Sequence, residues 1–169
     1  MYKTYLITGG VRSGKSSFAL TMAKDAKNPF FIATGWAGDE EMSGRIKQHK
    51  EERNDSWTTI EEKFDLKTAT ASAIIQNADF IIIDCMTLWI SNLMHGKKDI
   101  NSYVLGLIET LNNTETPIVL VTNEVGLGIV PNSEEGRAFR DILGLLNQRL
   151  AKVVDKVIFM VSGIPMELK

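Results

Sequence analysis

Gly9-Gly10-Val11-Arg12-Ser13-Gly14-Lys15-Ser16 reads G-x-x-x-x-G-K-S, the pattern of a phosphate-binding loop. An apolar run, Tyr5-Leu6-Ile7-Thr8, leads in, and a helix-forming run from Ser17 to Ala26 leads out. That is the strand–loop–helix setting the pattern requires. Glycine at both ends lets the main chain curl until its N–H groups face phosphate oxygens. The helix that follows adds the positive end of its dipole. Lys15 has the reach for β- and γ-phosphates, and the Ser16 hydroxyl suits a Mg²⁺ ion. The stretch predicts a nucleoside triphosphate site at the end of the first strand.

Outward from this loop, short apolar runs alternate with helical patterns, the signature of βαβ units and a mostly parallel sheet. Strands are expected at about Lys3–Thr8, Phe30–Thr34, Trp57–Glu61, Phe80–Cys85, Ile118–Asn123 and Lys156–Val161. Those at 3–8, 80–85 and 118–123 are nearly continuous apolar runs, as in strands buried on both faces. Helices fit at Lys15–Ala26, Asp39–Arg53, Leu66–Gln76, Thr87–Met94, Ile100–Asn112 and Glu134–Val154. Ala138, Ile142, Leu145, Leu146, Leu150 and Val153 form a helical stripe along the last. The expected fold is α/β, P-loop NTPase-like, with helices on both faces of a central sheet.

A chain of 169 residues suits one catalytic domain spanning 1–169, with no repeat or linker to divide it. Its composition, 44% hydrophobic and 24% charged, is that of an ordinary globular protein. A net charge of −2 argues against nucleic acid or an anionic membrane as the main partner. One cysteine, Cys85, excludes an internal disulfide framework. No apolar run approaches the ~20 residues that span a bilayer, and the N-terminus lacks the regions of a signal peptide. A cytoplasmic protein without membrane insertion is expected.

Phe80-Ile81-Ile82-Ile83-Asp84 delivers a carboxylate to the end of a buried strand, where it can hold Mg²⁺ directly or through water. The alternative reading makes Asp84 the N-cap of the next helix. On the expected helix Asp39–Arg53, Arg45, His49 and Arg53 recur at i, i+4 and i+8, with Lys50 beside them. That strip suits a polyphosphate, and a neutral His49 is a competent nucleophile toward phosphorus. Equally, Met42 and Ile46 fall on the same side, as for a half-buried histidine, and the arginines pair as readily with Glu41, Glu51 and Glu52 on a solvated face. Trp57–Glu62 ends a strand with two acids, able to accept from a base edge or a ribose hydroxyl, or simply solvated. The loop Val121–Pro131, apolar with two glycines, fits either the edge of a substrate pocket or a plain connection. His95 reads as exposed, and Cys85 as core rather than nucleophile.

Together these motifs resemble the bifunctional adenosylcobinamide kinase/adenosylcobinamide-phosphate guanylyltransferases of cobalamin biosynthesis, over nearly the whole length. They are T-G-G-x-R-S-G-K-S at Thr8–Ser16, I-A-T at Ile32–Thr34, R-I-x-x-H-K at Arg45–Lys50 and W-x-T-x-E at Trp57–Glu61. V-T-N-E-V-G-x-G-I-V-P at Val121–Pro131, F-R-D-I-x-G-x-x-N-Q-R-L-A at Phe139–Ala151 and V-S-G-I at Val161–Ile164 complete the series. The resemblance implies phosphorylation of adenosylcobinamide by ATP or GTP, then transfer of GMP from GTP to adenosylcobinamide phosphate through a guanylyl-histidine at His49. It implies catalytic roles for His49 and Lys15, and nucleotide contacts at Gly9, Gly10, Val11, Arg12, Ser13, Gly14, Lys15, Ser16, Ala33, Thr34, Gly35, Lys50, Glu51, Glu52, Arg53, Glu61 and Asp84. Glu62 is the alternative to Glu61, one position away. Mg²⁺ at Ser16 and Asp84 and a homotrimer are implied too. Two departures stand out: Gly35-Trp36 where the family pattern has small polar residues, and Asp84 where it has Glu. A P-loop kinase without guanylyl transfer, or a non-catalytic GTP-binding switch, would share the loop and the strand-end acid.

Overall fold

A computed structural model describes residues 2–35 and 56–169. The expected helix Asp39–Arg53 lies outside the described residues, as do Trp36, Arg45, His49, Lys50, Glu51, Glu52 and Arg53. The described strands are β1 (Thr4–Gly9), β2 (Pro29–Ala33), β3 (Thr58–Glu61), β4 (Phe80–Asp84), β5 (Ile118–Val121), β6 (Lys156–Val161) and β7 (Ile164–Glu167). The helices are α1 (Lys15–Met22), α2 (Leu66–Ile75), α3 (Met86–His95), α4 (Ile100–Asn113) and α5 (Glu134–Val153).

The strands form one sheet in the order β3-β2-β4-β5-β1-β6-β7, parallel except for β7, which runs antiparallel to β6. Strand side chains alternate between faces, so each buried strand feeds two cores. Leu6, Ile81, Ile83, Ile118 and Leu120 pack with Leu66, Trp89, Leu107, Leu146 and Leu150 from α2 to α5. Ile7, Ile82, Val119, Val121 and Ile158 pack on the other face with Ala19 and Ala23. This doubly covered, mostly parallel sheet is the expected architecture. The fully buried Trp89 keeps its indole N–H satisfied by donating to the Phe64 carbonyl at 2.7 Å, which spares an unpaired buried donor.

β7 departs from the expected six strands. Ile-Pro-Met-Glu is only four residues long and holds a proline, and all four residues are exposed. Proline cannot donate to a ladder and is tolerated at a sheet edge, which is where Pro165 sits. The strand is returned to β6 by Ser162 and Gly163, with φ of +51° and +85°, the two positive values of a tight hairpin turn. α1 also ends earlier than expected, at Met22. Among the described residues no helix is long and apolar enough to cross a membrane.

Candidate active site

Parallel strands present their C-terminal ends along one edge, and the register sets which residues meet there. Glu61 pairs with Ala33, Ala33 with Asp84, Asp84 with Val121, and Val121 with Ile7. Glu61, Ala33 and Asp84 therefore occupy one row across the sheet, with neighbours about 4.8 Å apart. That row leads to β1, two residues before the phosphate-binding loop.

The loop rests on β6 and on the β6–β7 turn. A Cβ on Gly9 would meet the Met160 carbonyl oxygen at 2.5 Å, so only glycine fits beside that strand. The Gly163 N–H donates to the Ser13 carbonyl at 3.1 Å. Helix α1 starts behind Gly14, whose φ is +89°, and has no side-chain cap. The other four described helices do: Asp65, Cys85, Asp99 and Ser133 each accept from a main-chain N–H of the first turn. Leaving the first N–H groups of α1 without a side-chain acceptor keeps them for an anion.

Ser16 Oγ donates to Asp84 Oδ2 at 2.5 Å, bringing together residues 68 positions apart. The cap of α3 falls to Cys85, which overturns the reading of Asp84 as that helix's N-cap and leaves its carboxylate at the loop. Hydroxyl and carboxylate are hard oxygen donors that fit Mg²⁺, which takes few protein ligands and completes its shell with phosphate and water. Among the described residues there is no cluster of three or more His, Cys, Asp or Glu, so a dedicated all-protein cage is absent from that part of the chain. Lys15 is buried, 7% exposed, and its ammonium donates to the Gly10 carbonyl at 2.5 Å. Burial pushes its pKa below the usual range, and the nearby Asp84 carboxylate opposes that shift.

Thr34 is fully buried and belongs to the scaffold of this edge. Its hydroxyl donates to the Cys85 carbonyl at 2.7 Å and accepts from the Cys85 N–H at 2.8 Å. Its main-chain N–H donates to Asp84 O, and Asn92 Nδ2 donates to its carbonyl. The Asp84–Cys85 peptide is cis. Cys85 matches its reading as structural: burial of the thiol, with the Asp84 carboxylate beside it, pushes its pKa up to about 12. Glu62 Oε1 accepts from the N–H groups of Phe64 and Asp65 at 2.7 and 3.0 Å, so it braces the turn into α2. Glu61 ends the row shared with Ala33 and Asp84 instead. His95 is exposed as expected, with Nδ1 2.7 Å from the Ser91 carbonyl.

Sequence reasoning missed a polar network under the edge. Thr87 Oγ1 accepts from the Asn123 N–H at 2.8 Å, and Thr122 Oγ1 donates to Asn147 Oδ1 at 2.9 Å. Asn147 Nδ2 then donates to the Asn123 carbonyl. One signal was available: Thr87 stands beside Met86, Trp89 and Ile90 among the buried residues of α3, and buried polar groups must be paired.

The profile of the family described as cobinamide kinase / cobinamide phosphate guanyltransferase matches residues 5–168. The chain is 37% identical over 179 residues to the bifunctional adenosylcobalamin biosynthesis protein CobU of Escherichia coli (strain K12), covering 97% of this chain and 98% of that protein. Identity to CobU of Salmonella typhimurium is 38% over 179 residues, with the same coverage. Identity to CobP of Pseudomonas aeruginosa is 39% over 167 residues, covering 97% and 96%. Among solved structures, an ATPase of the type III secretion system of pathogenic bacteria superposes with a TM-score of 0.57 at 13% identity, over 94% of this chain and 51% of that one. The ATPase EscN of enteropathogenic E. coli gives 0.56 at 11%, over 95% and 42%. At that identity these likenesses concern the fold alone, and the chain spans about half the length of either ATPase.

Proposed function

The chain belongs to the cobinamide kinase / cobinamide phosphate guanyltransferase family, and from that premise we propose that it carries out both reactions at the edge formed by Gly9–Ser16 and Asp84. Adenosylcobinamide is first phosphorylated by ATP or GTP, and adenosylcobinamide phosphate then receives GMP from GTP. The observation that carries this reading is the Ser16–Asp84 pair at 2.5 Å beside an uncapped helix start. A triphosphate and a divalent ion both find their partners there.

The triphosphate lies against the N–H groups of the loop and the start of α1, which are aimed before it arrives and need no reorganisation. Lys15 exchanges its bond to the Gly10 carbonyl for phosphate oxygens. It then neutralises charge that builds on the leaving oxygen. Ser16 and Asp84 would hold Mg²⁺, which when bound would neutralise phosphate charge. Ala33, Thr34 and Gly35 close the edge beside Asp84, and Glu61 meets the nucleoside at the far end of the row.

In the guanylyl step neutral His49 attacks the α-phosphorus, forming a P–N bond as the bond to the pyrophosphate oxygen breaks. An oxygen of the acceptor's phosphate then attacks the same phosphorus, the P–N bond breaks, and His49 is regenerated. Two displacements in place of one is ordinary covalent catalysis. Lys50 and Arg53, with Glu51 and Glu52 between them, supply the charges around that phosphorus. The enzyme acts in the cytoplasm as a homotrimer.

GTP labelled at the α-phosphate tests this reading. Acid-labile, base-stable label on the protein, and pyrophosphate release dependent on adenosylcobinamide phosphate, are the expected results. A His49→Asn variant that labels normally would overturn the nucleophile. Phosphorylation without covalent label would leave a kinase alone, and GTP binding without turnover a nucleotide switch.

A further inference from the structure

The loop from β5 to α5 holds Val125-Gly126-Leu127-Gly128-Ile129-Val130-Pro131, a run with no charged side chain. Leu127 is 81% exposed, Ile129 95% and Val130 57%. These side chains do not dangle from a free segment. At one end the Glu124 N–H donates to the Gly9 carbonyl at 3.0 Å, tying the loop to the first residue of the phosphate cradle. Glu124 Oε1 then accepts from the Gly126 N–H at 2.6 Å. At the other end Arg137 Nη1 donates to the carbonyls of Pro131 and Asn132 at 3.1 and 2.7 Å. Three apolar side chains are thus held in water next to a site whose ligand is almost wholly polar. Val11, within the cradle itself, adds a fourth at 72% exposure.

We infer that Leu127, Ile129 and Val130 form a shelf on which the hydrocarbon flank of the acceptor's macrocycle docks. The inference rests on the cobinamide reading above. The reacting hydroxyl of such an acceptor sits at the tip of a short arm on a wide, methyl-bearing corrin ring. A loop that closes around phosphates cannot admit the ring, so the ring rests outside it while the arm reaches in. The neighbouring surface must then offer apolar contact and no competing charge. Residues 124–133 contain no lysine or arginine, so they are unsuited to a phosphate or nucleic-acid partner, and the ring's amide arms are neutral. The tie between Glu124 and Gly9 makes the shelf continuous with the phosphate cradle. Burial of exposed apolar surface supplies affinity, and the fixed shelf orients the arm.

Leu127→Ser and Ile129→Ser in the full chain test this, with Ile75→Ser as control. Ile75 is equally exposed, at 80%, but ends α2, the helix that leads into the start of β4 and hence to the opposite edge of the sheet. Cobinamide binding is read by equilibrium dialysis through the corrin's own visible absorption, separately from turnover. GTP affinity and mass in solution are measured alongside. The shelf variants weaken cobinamide binding by roughly tenfold each, while GTP affinity and mass stay at the parent's values and Ile75→Ser binds as the parent does. Unchanged cobinamide binding in both shelf variants overturns the inference. A fall in mass overturns it as well, by assigning the loop to a contact between copies. A parent protein that binds cobinamide through this loop but transfers nothing to it upholds the shelf and sinks the proposed reaction instead.

Discussion

Alanine at Gly9 and alanine at Gly10 are one residue apart in the chain and far apart in cost. A Cβ on Gly9 would lie 2.5 Å from the Met160 carbonyl oxygen, 2.9 Å from Ser13 Oγ and 3.2 Å from Met160 Cβ. The carbonyl belongs to β6, and Gly9 pairs with Met160 in the β1–β6 register, so it cannot swing aside as a side chain would. The two strands must part by about 1 Å to restore ordinary contact. Overpacking of that kind costs about 1–3 kcal/mol. The φ of +149°, which side-chain-bearing residues rarely adopt, adds about 1–2 kcal/mol more. Gly9→Ala should therefore lose about 2–5 kcal/mol of stability. A Cβ on Gly10 meets nothing within 4 Å, so Gly10→Ala should stay within about 0.5 kcal/mol of the parent. Urea unfolding of both variants measures this, as a shift of midpoint at unchanged slope. Equal midpoints would refute the idea that the loop is seated on β6.

Glu62→Ala should lose about 1 kcal/mol of stability with GTP affinity intact, because its carboxylate serves two main-chain donors. Glu61→Ala should do the reverse, and fluorescence titration beside thermal melts would expose exchanged roles. With the Cys85 thiol pushed up to about 12, only about one in 10⁴ molecules is a thiolate at pH 8. Iodoacetamide should label the native protein far more slowly than the urea-unfolded one, and equal rates would contradict the burial. Main-chain N–H groups of Lys3 and Thr4 hold the Asp155 carboxyl below its usual 3.8. A depressed carboxylate stabilises the fold above its unfolded value, and that contribution fades as pH falls through the lower folded one. Asp155→Ala should therefore cost about 1 kcal/mol at pH 7, discounted for solvent, and the gap should close as pH drops below 3.8. A gap that persists at pH 2 would rule out the carboxylate as its source.

Much of the molecule is local in origin and so was legible in order along the chain. Gly9–Ser16 declares a phosphate cradle because its glycines, lysine and serine lie within eight residues. The runs at 80–84 and 118–121 declare buried parallel strands because both their faces are covered. β7 escaped because an edge strand held by a tight turn needs no apolar pattern of its own. The ordered motifs also identified the family, which no single spacing could have done. What the sequence could not decide was which distant residues meet. Glu61, Ala33 and Asp84 share a row through sheet register alone, and register between strands far apart in the chain is settled by how their buried faces pack together, which no local stretch declares. Glu61 and Glu62 are chemically alike and adjacent. Only the alternation of the strand and the turn into α2 send one into the row with Ala33 and Asp84 and the other to brace main-chain N–H groups. Asp84 was legible as a strand-end acid, but whether it capped a helix or faced Ser16 depended on how β4 gives way to α3. That transition places Cys85 at the cap and leaves the carboxylate beside the phosphate-binding loop.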